Sequence, residues 1–506
     1  MSSRRFGSSL AIAGYFAAAG LLIHGLTSGA YGYFRDELYI LACGDHLDWG
    51  YVDHAPLIAL IARLSRTLFG DSLYAIRFLP ALAGAATILL TGLIARELGG
   101  GRFAVALACL CVLVAPVYLI MDSMLTMNAF EPLFWMGCAY VLLLAIRRDN
   151  PRLLIWFGVL AGLGLENKHS MLFFGFALVA GLLLTPGRRF LANRWMWIAS
   201  AIALALFLPN LIWQAQHHWP TIEDLGNVKR MHKNVELGPL AFMGQQILMM
   251  LPTSVLVWGA GLWFLLSGRT DKRFRALGWA YLVVLAVMMA LKGKDYYLAP
   301  AYPMLLAAGG VFWEKLTERR WLRVALPAVL AVTGVVAAPL ALGVLSPENF
   351  LRYTQALGFT PPKTEVGHIG KLPQHFGDRF GWEEMVAAVA TVYQGLPPEE
   401  RAKTAIYAGN YGEAGAIDFF GPRYGLPKAI CAHQTYFFWG PRNYTGEVMI
   451  LLQSRRRDAE RYFASVEDGP ALNHPYAMAE EHYTILIARG LKLPLAAIWP
   501  RLKHWN

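Results

Sequence analysis

The sequence predicts a polytopic α-helical membrane protein of about eleven spans followed by a soluble α/β domain, on three observations. Of 506 residues, 56% are hydrophobic and 16% charged, outside the usual proportions of a soluble enzyme. Apolar runs long enough to cross roughly 30 Å of hydrocarbon recur through the first two thirds of the chain, with Lys and Arg collected in the short links between them. From residue 346 onward charged residues become frequent, and helix-like stretches alternate with strand-like ones.

In order, spans are expected near residues 9–29, 76–95, 103–121, 129–146, 152–165, 169–185, 195–213, 239–267, 277–291, 297–313 and 322–345. The opening Ser2-Ser3-Arg4-Arg5 leads into the first run without a small-residue cleavage site, so that run is read as a retained span. The run at 152–165 is short, and Glu166-Asn167-Lys168-His169 either separates two spans or interrupts one longer helix. Loop charge decides between them. With eleven spans, Arg4-Arg5, Arg96 with Arg102, Arg147-Arg148 with Arg152, Arg188-Arg189 with Arg194, the basic link at 269–275 and that at 315–323 all fall on one side. That side is the cytoplasm, because short cytoplasmic loops are enriched in Lys and Arg. The outer face of a cytoplasmic membrane then receives 31–75, 122–128, 166–169, 214–238, 292–297 and everything after about 346.

The formal net charge of +11 does not indicate nucleic acid, since the basic residues are dispersed among membrane links and form no stripe interleaved with aromatics. Cys109, Cys111 and Cys138 fall inside apolar runs and read as small hydrophobes. Cys43 and Cys431 lie in outer segments where a disulfide is permitted, though sequence alone does not bring them together.

The expected division is a membrane domain at 1–345, carrying the long first outer loop 31–75, and a soluble domain at 346–506 with Pro361-Pro362 in the linker. In the second domain residues 382–393 read as helix, and 404–407 and 448–453 as strands. The glycine-rich segment 407–418 lacks a GxGxxG at a strand-to-helix turn and reads as a turn packing the domain together, not as a nucleotide site. Phe437-Phe438-Trp439-Gly440-Pro441 and Tyr424 suggest an aromatic ledge for a sugar or lipid.

The first outer loop carries an acidic pair directly after span one, in Tyr33-Phe34-Arg35-Asp36-Glu37-Leu38-Tyr39. Carboxylates this near hydrocarbon are either solvated, paired with Arg35, or functional. The loop continues through Asp48-Trp49-Gly50-Tyr51-Val52-Asp53-His54-Ala55-Pro56 into an amphipathic stretch, Leu57–Phe69, with Arg63 and Arg66 on its polar face, expected to lie in the interface plane.

An acidic pair at the exit of span one, followed by an aspartate-containing YxDHxP segment, resembles glycosyltransferase family 39, the group of protein O-mannosyltransferases and lipid A aminoarabinose transferases. The resemblance covers the first roughly 340 residues and implies the C-type glycosyltransferase architecture. It implies an enzyme of the cytoplasmic (inner) membrane that takes a sugar from a polyprenyl-phosphate donor at the outer face and passes it to a protein, lipid A or glycan. Carried over by position, it puts the catalytic carboxylate at Asp36 with Glu37 beside it, and an assisting acid at Asp122 after span three. One carboxylate suffices for an inverting transfer, since it takes the proton of the acceptor hydroxyl while the sugar–phosphate bond breaks.

Where the lipid A transferases have glutamate and lysine, this chain has Asp53 and His54. In those relatives the acidic residue can help hold a metal, which makes Asp53 a candidate ligand for a divalent ion and His54 either a ligand or a cationic phosphate contact. The departing lipid phosphate needs fixed cations, and three outer links offer them: Lys168-His169, Lys229-Arg230 with His232-Lys233, and Lys292-Gly293-Lys294, of which Lys294 is the most specific. Around Lys294 the family commonly shows a basic residue followed by aromatics and proline, matched here by Tyr296, Tyr297, Pro300 and Pro303, although Lys and Tyr also anchor ordinary span ends. The competing class is a polyprenyl-linked sugar flippase without chemistry. Against it, ionisable residues gather in outer loops instead of mid-membrane and no repeat is evident. A membrane scaffold, in which the acidic pair is dispensable, is the remaining alternative.

Overall fold

The computed structural model describes residues 8–269, 271–317, 319–363 and 365–505, so Arg4 and Arg5, expected on the cytoplasmic side, lie outside the described residues. Every apolar stretch read from the sequence is helical. Among the described residues six helices are long and apolar enough to cross a membrane: Ser9–Thr27, Leu73–Glu97, Met127–Arg147, Arg194–Gln216, Lys272–Ala290 and Arg320–Ala341. A seventh arises if the bent pair Pro239–Met249 and Pro252–Leu266 counts as one.

Two expected spans are broken, for backbone reasons. The stretch at 239–267 bends by 100° between its halves. Leu251 there takes φ +71° and Pro252 brings no N–H, so the helical ladder cannot continue through the pair. The stretch at 103–121 divides into Arg102–Val114 and Pro116–Met121 because the residue before a proline is pushed to extended backbone, and Ala115 sits at ψ 122°. The helices Leu154–Asn167 and Met171–Leu183 are distinct, with Lys168, His169 and Ser170 between them.

The chain parts into two compact units. The first comprises 1–28, 69–213 and 236–344; the second gathers 29–68, 214–235 and 345–506. In the first, Leu73–Glu97 packs against Ser9–Thr27, Arg102–Val114 and Met127–Arg147, and Pro252–Leu266 against Tyr302–Leu316. Their shared interior runs through Ile88, Val105, Trp135, Phe174, Tyr281 and Leu305.

In the second unit, β1 (Thr404–Ala408), β2 (Ile430–Cys431), β3 (Val448–Leu451), β4 (Phe463–Ala471) and β5 (Thr484–Leu491) form a sheet of order β2-β1-β3-β5-β4. β1 pairs in parallel with β2 and β3, while β5 is antiparallel to both β3 and β4. Helix Trp382–Gly395 covers the expected 382–393. Cys43 and Cys431 are both free and buried.

The glycine-rich segment is more than a turn. It ends β1 and starts helix Tyr411–Phe420, capped by Asn410, whose side chain accepts from the N–H groups of Gly412 and Glu413 while Glu413 reaches back. Its glycines let that helix approach the one at Arg35–Asp45: a Cβ on Gly415 would stand 2.7 Å from the Leu38 carbonyl carbon, and one on Gly412 would overlap the Arg35 side chain. The glycines here serve close helix packing.

Candidate functional site

Asp36 stands in the first turn of helix Arg35–Asp45, half-buried, and its Oδ1 accepts a hydrogen bond from the Tyr411 hydroxyl at 2.8 Å. Glu37 is fully buried and closes that turn as a capping box, its carboxylate accepting from the Phe34 N–H at 2.8 Å. The two adjacent carboxylates therefore do different work: Glu37 fixes the helix start, and Asp36 accepts from the Tyr411 hydroxyl.

The aromatic wall extends from there. Tyr39 lies one turn along and its ring sits 4.7 Å from that of Tyr411. Its hydroxyl donates to Asp53 Oδ1 at 2.8 Å and rests 2.7 Å from Thr435 Oγ1. Burial raises the Asp53 pKa to about 6, reinforced by the charge of Asp36 and opposed by the Tyr39 hydrogen bond. His54 stacks on Tyr51 at 4.5 Å, and its Nδ1 donates to the Ala55 carbonyl at 2.9 Å. Burial lowers its pKa to about 4, which favours the neutral ring near pH 7.

Arg35, next to Asp36, is nearly buried, and its partners come from far along the chain. Its Nη1 donates to Glu480 Oε1 at 2.5 Å, its Nη2 lies 3.2 Å from His368 Nε2, and its backbone N–H donates to the Asp378 carbonyl at 3.0 Å. Its guanidinium also lies over the Tyr411 ring, 5.3 Å from the centroid. Burial alone would raise the Glu480 pKa, but the His368 hydrogen bond and the Arg35 charge bring it below its ordinary value.

Among the described residues, the one group of three His, Cys, Asp or Glu side chains whose ligand atoms lie within 4.8 Å of one another is His368, Asp378 and Glu480. Asp53 is not part of it. In that group the Arg35 guanidinium already supplies the positive charge, bonded to two of the three members.

The first unit holds the other expected residues. Asp122 caps helix Pro116–Met121, and its buried carboxylate is laid against the backbone of Gly84, where any Cβ would overlap Oδ2. Lys168 donates to Asn128 Oδ1 and Glu131 Oε2, each at 2.8 Å, and Ser170 donates to the other oxygen of Glu131. The Lys168 ammonium lies 4.3 Å from the Tyr297 ring centroid and 5.8 Å from that of Tyr296. So Lys168, Tyr296 and Tyr297 do come together, with half-buried Lys294 at the start of the 3₁₀ turn Asp295–Ala301 that carries both tyrosines.

Tyr411, Glu480, His368 and Glu131 escaped the sequence reading. Glu131 had a usable signal, an acid inside an apolar run. The aromatic ledge has its rings occupied: Trp439 stacks on His46 at 4.2 Å, Phe437 on Trp499 at 6.3 Å, and Phe438 lies 5.5 Å from Trp505.

Residues 53–213 match the family model described as dolichyl-phosphate-mannose-protein mannosyltransferase. The lipid A galacturonosyltransferase RgtD of Rhizobium johnstonii is 27% identical over 343 residues, which is 64% of this chain and 69% of that protein. ArnT of Cupriavidus metallidurans, solved bound to undecaprenyl phosphate, superposes with a TM-score of 0.62 at 15% identity over 94% of this chain and 97% of its own. Its apo form gives 0.61 at 14% identity over the same shares. At such identities the superposition speaks for the fold.

Proposed function

We propose that the chain is a membrane glycosyltransferase of the C type, similar to family 39, acting as a lipid-linked sugar transferase. It moves a sugar from a polyprenyl-phosphate donor to a lipid, glycan or protein acceptor, at the outer face of the cytoplasmic membrane and with inversion. The observation that carries this reading is the half-buried Asp36 carboxylate, held by Tyr411 at the first turn of its helix. The similarity to a named lipid A galacturonosyltransferase, and to the fold of a chain solved with undecaprenyl phosphate, supports the donor class.

In the proposed step the acceptor hydroxyl gives its proton to Asp36 while its oxygen attacks the anomeric carbon. The bond from that carbon to the phosphate oxygen breaks, and polyprenyl phosphate leaves with the electron pair. Developing charge on that phosphate calls for cations, a role proposed for Lys168 and Lys294 with Tyr296 and Tyr297 as their aromatic surround. Asp122 is assigned to orient a substrate hydroxyl. Eleven spans, a cytoplasmic N-terminus and an outer C-terminal domain belong to the same proposal, supported by the loop charges.

The test is transfer from a panel of radiolabelled polyprenyl-phosphate sugars into membrane acceptors, by vesicles with wild-type protein or Asp36→Asn. Label moved from one donor by the wild type only supports the enzyme, the donor and the base together. Movement of the donor between leaflets without transfer would instead make the protein a flippase.

A further inference from the structure

We infer that Glu480 and His368 are positioning residues that hold the Arg35 guanidinium away from Asp36 and so leave Asp36 to accept the acceptor's proton. This rests on the reading of Asp36 as base given above.

Arg35 and Asp36 are successive residues, so their Cα atoms are about 3.8 Å apart and a guanidinium on a flexible stem can reach its neighbour's carboxylate. Arg35 is 8% exposed, and a buried cation seeks an anion because water no longer solvates it. The nearest carboxylate in sequence is the one the reaction needs ionised and unpaired. Glu480 accepts from Nη1 at 2.5 Å instead, and His368 Nε2 stands 3.2 Å from Nη2. His368 borders both neighbouring carboxylates as well, its Nε2 3.5 Å from Glu480 Oε1 and its Nδ1 3.1 Å from Glu365 Oε2.

The remaining contacts act in the same direction. The Arg35 N–H is tied to the Asp378 carbonyl at 3.0 Å, so the helix start cannot swing to follow the side chain. Tyr411 spreads its ring under the guanidinium and gives its hydroxyl to Asp36, a separator with one face for each residue. Gly412 leaves room for the Arg35 stem to run along the Tyr411–Phe420 helix toward Glu480. A metal at this cluster is the rival reading, and Arg35 bonding two of the three donor groups argues against it.

The experiment measures transfer kinetics, in the vesicle assay above, for Glu480→Gln, His368→Gln and the double variant Arg35→Gln with Glu480→Gln. Elution and thermal melting in detergent monitor folding. Glu480→Gln is expected to lower kcat about tenfold with donor KM within twofold, because the released guanidinium turns to Asp36, and His368→Gln to lower it in the same direction. The double variant, which removes the competing cation, is expected to return to within about threefold of wild type. A purely structural role for Glu480 would leave the double variant no better than the single one, and that outcome overturns the inference, as would wild-type kcat in Glu480→Gln. If Glu480→Gln does not fold, His368→Gln and the double variant decide by the same comparison. Wild-type protein that transfers from no donor would bring down the Asp36 reading and this inference with it, whereas wild-type transfer with unaffected variants would remove this inference alone.

Discussion

The hydroxyl of Tyr411 donates to Oδ1 of Asp36 at 2.8 Å, joining two residues that stand 375 positions apart in the chain. A phenol bonded to a carboxylate is a charge-assisted contact worth about 1.5–3 kcal/mol. Tyr411→Phe keeps the ring and removes that donor. Steady-state transfer assays should show kcat down by about tenfold or more, with donor KM little changed. Wild-type kcat in this variant would mean that Asp36 is positioned by its helix alone.

Asp122 and Gly84 give a second prediction, independent of the charge on Asp122. A methyl group at Gly84 overlaps the Asp122 carboxylate, so Gly84→Ala should displace it and reduce transfer as strongly as Asp122→Asn. Comparing the two variants at matched abundance in membranes checks this. A fully active Gly84→Ala would show that the carboxylate is free to relocate.

Lys168 and Glu131 form a nearly buried ion pair, with side-chain exposures of 16% and 3%. Removing one partner leaves an uncompensated charge, at a cost of about 3–5 kcal/mol, while removing both is close to neutral. Lys168→Met should therefore lower the melting midpoint in detergent, and Lys168→Met with Glu131→Gln should restore it. Transfer should stay impaired in the double variant if Lys168 meets the lipid phosphate. Recovery of both stability and transfer would assign Lys168 a structural part only.

His54 predicts a pH dependence of stability. Its pKa is about 4 in the folded protein against an ordinary 6.5, so the unfolded chain binds the proton first as pH falls. The folded state then loses stability between about pH 6.5 and 4, by up to about 3 kcal/mol, and gains nothing above pH 6.5. Melting midpoints of His54→Gln should fall less steeply than wild type across that interval. Parallel curves would sink the assignment of a buried neutral ring.

Helix-forming stretches were legible wherever apolar runs were long, because the length needed to cross hydrocarbon is a property of sequence. Their breaks were less so. Pro252 and Pro116 stand in plain sight, yet whether a proline kinks a span or ends it depends on what packs at the break. The acidic pair was legible as unusual, and its division of labour was not: a capping glutamate and an available aspartate look alike until the Phe34 N–H is seen bonded to Glu37. His54 read as a possible cation because the resembling transferases carry lysine there, and only the structure shows the ring buried, which favours its neutral form.

The sequence by itself determined that this is a multi-helix membrane protein with carboxylates just beyond its first span, since hydropathy, loop charge and the Arg35-Asp36-Glu37 segment are local properties. Only the tertiary structure decided which groups those carboxylates meet. Tyr411, His368 and Glu480 reach Arg35 and Asp36 across separations of 375, 333 and 445 positions. A hydrogen bond acts over about 3 Å whatever the separation along the chain, so no local pattern around Asp36 encodes its partners. They are fixed by the packing of helix Tyr411–Phe420 on helix Arg35–Asp45, through Gly412 and Gly415.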